Sequence, residues 1–159
     1  MFKKAHIQGL MVDPIKEMPV LVLRDDQDGR FLPIWIGHHE ANAIALQLEG
    51  IHVPRPMTHD LLGQVLEAVG ASISQVRIRD MRDHTYFADL VLLVQGHEAR
   101  VDARPSDAVA MAVRSGAEIV VESSLYQRAS DLEQAPADED LVSHWMEKLG
   151  PEEMGEYEM

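Results

Sequence analysis

The sequence predicts an α+β fold made of two half-units, each with three strands followed by a helix. Strand patterns occur in two groups of three, and turn signals such as Asp28-Gly29 and Asp83-His84 separate the strands. Each group ends in an alanine-rich helical pattern. The two helices align at an offset of 67 positions, because residues 40–46 read EANAIAL and residues 107–113 read DAVAMAV. Internal duplication and chance similarity between alanine-rich helices both explain this alignment.

The first half-unit is expected at the N-terminal end of the chain. Apolar and alternating residues predict strands over 5–12, 19–24 and 31–37. Residues 38–49 predict a helix, because they are rich in good helix formers and one face carries only apolar side chains. That face consists of Ala41, Ile44, Ala45 and Leu48. Gly50 ends the helix.

An extra loop and helix precede the second half-unit. The prolines within residues 51–60 predict a stiff, extended loop. A helix over about 59–69 follows, and one of its sides carries Leu61, Leu62, Val65, Leu66 and Val69. The second half-unit is predicted as strands over 73–82, 85–95 and 97–103, a helix over 106–115 and a final strand over 118–122. Together these elements predict a mixed or antiparallel sheet with three main helices.

Length and charge predict the domain organisation. A chain of 159 residues is long enough for one domain with its own core, which we place at residues 1–128. Residues 129–159 predict an acidic linker and a short C-terminal helix over 141–150. The formal net charge is −13, and residues 131–159 hold ten acids against one base, Lys148. An acidic chain disfavours tight nucleic-acid binding without excluding it, since bases can still cluster in one patch.

Several function classes lack sequence support. The chain has no cysteine, so disulfides and thiolate metal sites are excluded. No apolar run approaches the roughly 18 residues that a membrane span needs, and the first twelve residues predict a strand rather than a signal peptide. We therefore expect a cytoplasmic protein that does not enter a membrane. Motifs for nucleotide cofactors, P-loop hydrolysis and zinc proteases are absent, so no nucleotide cofactor is expected.

A first candidate motif is RPSD at residues 104–107. Ser106 suits an N-cap and Asp107 suits the positive end of a helix dipole. A cap alone explains neither Arg104 nor the nearby Asp102. Because Asp102 alternates with apolar neighbours in a strand, we expect its side chain to be exposed or held by a partner such as Arg104.

A second motif, RPMTHD at residues 55–60, again has Arg-Pro followed by a hydroxyl residue and an aspartate before a predicted helix. Thr58 can act as the cap and Asp60 can face the helix dipole. His59 is the added element, because histidine moves protons near neutral pH. The two motifs are either two well-made helix starts or two halves of one site. His38, His39 and Glu40 give only a weak metal signal, since adjacent helical residues point in different directions.

Three stretches of the chain carry a family resemblance: LPIWIGHHEANAIALQLEG, RPMTHDLL and HEARVDARPSDAVAMAVR. Over residues 5–125 their order and spacing resemble the bifunctional nuclease domain family. The resemblance implies an α+β domain that forms homo-oligomers, cleaves RNA and DNA, and depends on a divalent metal. The positions that match the family motifs are Glu40, Arg55, Thr58, His59, Asp60, Asp102, Arg104, Ser106 and Asp107.

Two hypotheses from different classes follow. The first is a nuclease that hydrolyses phosphodiester bonds of RNA, DNA or both with the help of Mg²⁺ or Mn²⁺. Its predicted metal ligands are Asp60, Asp102, Asp107 and Glu40. Its predicted catalytic residues are His59, Asp60, Asp102 and Asp107. Its predicted substrate-binding residues are Arg55, Arg104, Thr58 and Ser106. The second hypothesis is a non-catalytic oligomeric binding or adaptor module, in which the Arg–Asp motifs are structural ion pairs.

Overall fold

The computed structural model describes residues 1–132, which form seven strands and four helices around one sheet. The first half contains β1 (Phe2–Val12), β2 (Pro19–Asp25), β3 (Phe31–Trp35), α1 (His38–Leu48) and α2 (Thr58–Ala68). The second half contains β4 (Ala71–Arg82), β5 (Thr85–Val94), β6 (His97–Ala103), α3 (Pro105–Ser115), β7 (Glu118–Glu122) and α4 (Ser124–Leu132).

The sheet has the strand order β3-β2-β1-β7-β4-β5-β6. Strands β1 to β3 form one antiparallel meander and β4 to β6 form another. Strand β7 joins them, because it pairs antiparallel with β1 and parallel with β4. The predicted α+β class, with two βββα half-units and a mixed sheet, is therefore confirmed. Helices α1 and α3 are both 11 residues long and begin 67 positions apart, at His38 and Pro105.

The strands turn where the sequence predicts. Asp83 and His84 join β4 to β5 with φ values of 48° and 62°. Two successive left-handed residues make a turn whose twist matches that of the flanking strands. Asp and His tolerate this conformation better than most non-glycine residues. The local sequence thereby sets the register in which β5 pairs with β4.

The main core lies between the sheet and helices α1 and α3. Helix α3 is the most buried helix of those described, and its buried apolar run is Ala108, Val109, Ala110, Met111 and Ala112. The small alanines let α3 lie close to both the sheet and α1, while Val109 and Met111 fill the space between them. This packing fixes the start of α3 against the start of α1.

Helix α2 contrasts with α3, because none of its residues is buried. The apolar side predicted from the sequence exists, but most of it faces solvent. Its exposed members are Leu61, Leu62, Val65 and Val69. Only Leu66 packs against the core as a partly buried residue. Helix α2 therefore rests on α3 by few contacts and leaves an apolar surface open.

The C-terminal region differs in detail from the prediction. Helix α4 spans Ser124–Leu132 and is not among the elements that the sequence patterns predict. The predicted short helix over 141–150 lies outside the described residues. None of the helices in the described part of the chain is long and apolar enough to cross a membrane.

Candidate active-site groove

An open groove of about 870 Å³ lies where α1, α2, α3 and β6 meet. The three helices contribute His39, Glu40, Thr58, His59, Arg104, Asp107 and Arg114 to its walls, together with several apolar residues. The groove therefore gathers most of the polar residues that the two sequence motifs pointed to. The RPSD and RPMTHD motifs meet in space, as the hypothesis of one shared site requires.

The central contact of the groove is a hydrogen bond between His59 and Asp107. The Nε2 atom of His59 lies 2.9 Å from Oδ1 of Asp107. Partial burial raises the pKa of Asp107, but hydrogen bonds from Arg104 and His59 outweigh burial, so this pKa lies below its usual value. Asp107 is therefore an ionised acceptor, and Nε2 of His59 carries the donated proton. The other ring nitrogen, Nδ1, makes no hydrogen bond to any residue within 1–132.

Arg104 connects this pair to helix α1. Its Nε donates to Oδ2 of Asp107 at 2.8 Å, and its Nη1 donates to Oε1 of Glu40 at 3.0 Å. These two bonds use two of the five guanidinium N–H groups, so three are left for another acceptor. The Arg104 side chain is 64% exposed, which leaves those N–H groups accessible from the groove. A planar, permanently charged guanidinium in this position is suited to an anion such as phosphate.

Glu40 is held in place from two directions. Its own backbone N–H and the Arg104 guanidinium lower the pKa of Glu40 by more than burial raises it. Gly37, which precedes the helix, makes room for this arrangement, because a Cβ at Gly37 would collide with the Glu40 carboxylate. A glycine at position 37 therefore permits this placement of the carboxylate that binds Arg104.

Asp60 takes a different partner from the one its motif suggests. Its Oδ1 accepts a hydrogen bond of 2.8 Å from Nε of Arg114, and its Oδ2 accepts one of 3.0 Å from the backbone N–H of Met57. These two donors, the backbone N–H first, lower the pKa of Asp60 against the opposing effect of burial. The carboxylate of Asp60 therefore has a structural role, and its hydrogen bonds go to Arg114 and Met57 instead of His59.

Arg114 joins all three helices of the groove. Besides Asp60 on α2, it donates from Nη2 to the carbonyl of Ala43 on α1 and from Nη1 to the carbonyl of Ala110 on α3, both at 2.9 Å. Its side chain is only 11% exposed. Because every guanidinium nitrogen is engaged, Arg114 serves as a structural tie between the helices.

Asp102 borders the groove as a residue of β6, but its side chain points away from it. Its neighbours Val101 and Ala103 pair with the core-facing Leu90 and Ala88 of β5, so alternation directs the Asp102 side chain to the opposite face of the sheet. There Oδ1 of Asp102 accepts a hydrogen bond of 2.8 Å from Nη2 of Arg79. The prediction that the Asp102 side chain is exposed or held by a partner is confirmed. The partner is Arg79 instead of Arg104, and the carboxylate does not approach His59.

The predicted caps are wrong by one or two positions. Helix α2 begins at Thr58 with Met57 as its N-cap, and Asp60 rather than Thr58 accepts the backbone hydrogen bond from that cap. Helix α3 has Arg104 as its N-cap and Pro105 as its first residue. Ser106 is the second helical residue and is buried at 6% exposure, so its hydroxyl does not cap the helix. In both helices the aspartate occupies the third position.

Two further predicted residues sit apart from the central contacts. Thr58 is exposed and borders the groove. Arg55 is exposed in the loop before α2, does not line the groove, and forms no ion pair with the part of the chain that the structure describes. The structure therefore brings Thr58 to the site and leaves Arg55 outside it.

The residues as arranged do not fit a divalent metal. Among residues 1–132, no three carboxylate or imidazole groups come together in a way that could hold a metal ion. Asp60 and Asp102 each face a different arginine, while Glu40 and Asp107 both bind Arg104. A cation placed between Glu40 and Asp107 would have to displace the Arg104 guanidinium. The four predicted metal ligands are not assembled into one set.

Sequence reasoning missed Gly37 and Arg114, which shape the groove, and Arg79, which binds Asp102 on the other face of the sheet. Arg114 had a detectable signal, since a cation in the last turn of a helix suits its dipole. His39 was seen only as part of a weak metal motif, yet it lines the groove. Gly37 and Arg79 have no local signal, because their roles depend on contacts with residues that lie elsewhere in the chain or in another strand.

The fold and the groove define a class of protein: an α+β domain with an imidazole–carboxylate pair and an exposed arginine at the junction of its two half-units. The model of the bifunctional nuclease domain matches residues 21–134. The chain belongs to the bifunctional nuclease domain family. The resemblance stated from the sequence motifs is thereby confirmed.

Individual relatives agree with this membership. An uncharacterized protein of Mycobacterium tuberculosis is 42% identical over 140 residues, which is 88% of this chain and 84% of that protein. Bifunctional nuclease 2 of rice (Oryza sativa subsp. japonica) is 29% identical over 74% of this chain, and bifunctional nuclease 1 of Arabidopsis thaliana is 27% identical over 71%. This chain matches only 38% and 35% of those two plant proteins.

Proposed function

We propose that this protein is a nuclease that cleaves phosphodiester bonds of RNA, DNA or both within the groove. One observation carries the proposal: the His59–Asp107 pair lies beside an exposed Arg104 that has unused N–H groups. A base, its orienting carboxylate and an anion-binding guanidinium are groups that proteins use to catalyse phosphoryl transfer. Family membership and the plant relatives named as bifunctional nucleases support the same class of reaction.

Each group has a defined role in this proposal. Nδ1 of His59 accepts a proton from the attacking hydroxyl, and Asp107 stabilises the imidazolium that forms. Arg104 binds the non-bridging phosphate oxygens, which become more negative as the reaction proceeds. Glu40 fixes the orientation of Arg104. The start of α3 adds the favourable dipole of a helix N-terminus.

Substitution of the histidine tests the proposal directly. His59→Ala should lower the cleavage rate of single-stranded RNA and DNA oligonucleotides by about 10²–10⁴-fold, the usual contribution of a general base. His97→Ala is the matched control, because His97 is an exposed histidine on β6 outside the groove. Unchanged cleavage by folded His59→Ala protein would contradict the assignment.

Dependence on Mg²⁺ or Mn²⁺ stays a prediction that comes from the family resemblance. The roles proposed above use no metal, because the four carboxylates predicted as metal ligands are engaged with arginines. Measuring cleavage in EDTA and again after adding each metal tests the prediction. Activity that disappears in EDTA and returns with metal would support it.

A second candidate function is the non-catalytic binding or adaptor module. The Asp60–Arg114 and Asp102–Arg79 pairs favour it, because both are internal ion pairs of the kind that a purely structural role predicts. Under this alternative, His59→Ala would change the melting temperature and there would be no cleavage to lose. Wild-type protein that cleaves neither RNA nor DNA, with or without metal, would favour this candidate.

We further propose that the protein forms homo-oligomers through the exposed side of α2. Leu61 and Val69 are 54% and 65% exposed, and apolar side chains clustered on one helix face commonly mark interfaces. The double variant Leu61→Glu with Val69→Glu should lower the molar mass measured by light scattering to that of the monomer. Ile15→Glu is the control, because Ile15 is an exposed apolar residue in the β1–β2 loop.

A further inference from the structure

We propose that the face of the sheet opposite the helices binds single-stranded RNA or DNA and forms a second nucleic-acid site outside the groove. We call this surface the open face, and its defining side chains are Phe2, Arg24, Phe31 and Arg77. The ligand class rests on the proposed function, but the surface is a different one. Binding to the open face does not require cleavage, so the two proposals can be tested separately.

All four described helices lie on one side of the sheet. Helices α1, α3 and α4 contribute buried residues to the main core, and Leu66 of α2 packs against it. In strands β2 and β4 the core residues are Leu21, Leu23, Val76 and Ile78. Because side chains alternate along a strand, Arg24 and Arg77 point away from the helices and onto the open face.

The loop between β1 and β2 covers one end of the open face. The indole N–H of Trp35 donates to Asp13 at 2.9 Å, and the ammonium group of Lys16 lies 4.4 Å from the centre of the Trp35 ring. This ring is therefore already in contact with its own chain. Phe2, by contrast, is 41% exposed, and Phe31 is half-buried.

Two arginines of the open face lie against aromatic rings. The guanidinium of Arg24 is 5.4 Å from the centre of the Phe31 ring, and that of Arg77 is 5.7 Å from the centre of the Phe2 ring. Arg77 also donates from Nε to the amide oxygen of Gln75 at 2.6 Å, which leaves most N–H groups of both arginines available within the described chain. Aromatic rings and guanidinium planes stack on bases, and guanidinium N–H groups bind phosphate.

The carboxylates on the open face are paired with other cations. The pairs are Glu118 with Lys4, Asp89 and Asp102 with Arg79, and Glu98 with Arg100. In the part of the chain that the structure describes, Arg24 and Arg77 form no such pair. Their positive charges therefore complement a polyanion, even though the net charge of the whole chain is −13.

The two arginine–aromatic pairs are spread across the sheet. Phe31 and Arg24 are neighbours on β3 and β2, whereas Phe2 is on β1 and Arg77 is on β4. In the strand order, β3 and β4 are four strand spacings apart, which is about 19 Å at about 4.8 Å per spacing. A surface of this width is suited to a strand of several nucleotides rather than to a single nucleotide.

Strand β6 forms the border between the open face and the groove. Val101 and Ala103 line the groove, whereas alternation places Arg100 on the open face. Between β4 and β6 the guanidinium of Arg79 lies 5.5 Å from the centre of the Phe87 ring, which continues the series of arginine–aromatic pairs. A strand that crosses the open face toward β6 therefore arrives at the edge of the groove. The open face holds the part of a long substrate that extends beyond the bond to be cleaved.

A binding measurement on inactive protein tests the open face apart from cleavage. His59→Ala protein is titrated into fluorescently labelled single strands of RNA and of DNA, about 20 nucleotides long, since single-strand sites commonly take about 4–16 nucleotides. Adding Phe2→Leu or Phe31→Leu should weaken the binding of both strands about 10-fold, because a stacking ring is lost while an apolar side chain is kept. Adding Leu48→Ala is the control, because Leu48 is an exposed apolar residue on α1.

The salt dependence of binding tests the two arginines. For single strands, each phosphate contact that is lost lowers the slope of log K against log salt concentration by about 0.7. Arg77→Gln should therefore lower this slope by about 0.7, and Arg24→Gln combined with Arg77→Gln by about 1.4. Arg55→Gln should leave the slope unchanged, because Arg55 is an exposed arginine in the loop before α2.

Steady-state cleavage by otherwise wild-type protein separates binding from chemistry. The open-face variants should raise KM for the long strands and leave kcat unchanged, because their side chains lie outside the groove. A dinucleotide is too short to reach from the groove to β4, so its cleavage should not change. Loss of kcat on the dinucleotide in folded open-face variants would contradict a separate binding site.

The outcomes distinguish this inference from the proposed function. Unchanged affinity and salt slope in open-face variants that keep the wild-type melting temperature would overturn the inference and leave the nuclease function intact. A lower molar mass in light scattering with unchanged nucleic-acid binding would also overturn it, because the open face would then be a contact between two copies of the chain. Binding that depends on the open face, in a wild-type protein that cleaves no RNA or DNA, would support the inference and overturn the nuclease function alone.

Discussion

The two helix starts that look alike in sequence differ in what their arginines and aspartates do. At the start of α3, Arg104 binds Asp107 within the same motif and reaches Glu40 on α1. At the start of α2, Arg55 makes no ion pair with described residues, and Asp60 binds Arg114 from α3 instead. The first motif presents an exposed guanidinium to a groove, whereas the second fixes the position of its helix.

The spacing between each arginine and the start of its helix explains the difference. In both helices the aspartate is the third residue, but RPMTHD has two more residues than RPSD between its proline and its aspartate. Arg104 is therefore the N-cap of α3, within reach of Asp107 three positions later. Arg55 lies two positions before the N-cap of α2, outside the helix. His59 is the second residue of α2, as Ser106 is of α3, and from there it reaches Asp107.

The largest expected effect is a difference in cleavage rate between variants of Asp107 and Asp102. Asp107→Asn should lower the cleavage rate by about 10²-fold or more, because His59 loses the carboxylate that orients and stabilises it. Asp102→Asn, on the other face of the sheet, should retain cleavage within a few-fold of wild type. Steady-state cleavage of a labelled oligonucleotide measures both. A larger loss for Asp102→Asn than for Asp107→Asn would show that the groove has been assigned to the wrong carboxylate.

The next effect is a difference in the free energy of unfolding between variants of Arg114 and Arg104. Arg114→Ala should lower the free energy of unfolding by about 3 kcal/mol, because it leaves Asp60 and two carbonyl groups without their donor in a largely buried place. Arg104→Ala should cost only about 0–1 kcal/mol, since Arg104 is 64% exposed. Urea unfolding followed by circular dichroism measures the difference. Similar losses for both variants would contradict the division into one structural and one functional arginine.

A smaller effect concerns the pH dependence of stability. The pKa of Asp60 lies below its ordinary 3.8 in the folded protein. A lowered folded pKa means that the ionised carboxylate stabilises the fold above the unfolded pKa, and that this stabilisation is lost as pH falls through the folded pKa. The stability difference between wild type and Asp60→Asn should therefore be constant from about pH 5 to 7 and shrink below about pH 4. A difference that grows on acidification would have the wrong sign.

The smallest effect is expected for Arg55→Ala. Because Arg55 is exposed and outside the groove, its removal should change the free energy of unfolding by less than about 0.5 kcal/mol. Its effect on cleavage should also be well below that of Arg104→Ala. A loss of cleavage equal to that of Arg104→Ala would mean that substrate extends from the groove to the loop before α2.

Much of the fold could be predicted because it depends on local patterns. All ten strands and helices predicted within residues 1–128 are present, with boundaries displaced by at most three residues. Glycines and two-residue turns mark their ends, and the alanine register already related α1 to α3. The exposure of the apolar side of α2 could not be predicted in this way, because amphipathic spacing shows that a face is apolar and not what covers it.

The sequence by itself determined ten of the eleven described strands and helices, the two half-units, the family and the identity of His59 as a residue that can move a proton. Only the tertiary structure decided the partner of each charged group. Asp60 meets Arg114 from 54 positions away, Asp102 meets Arg79 from 23, and His59 meets Asp107 from 48. Such pairs depend on which faces of helices and strands come together in packing. Motif spacing describes one segment of the chain at a time, so it could not show how separate segments pack together. The motifs predicted four carboxylates in one metal site, but packing directs Asp60 to Arg114 and Asp102 to Arg79.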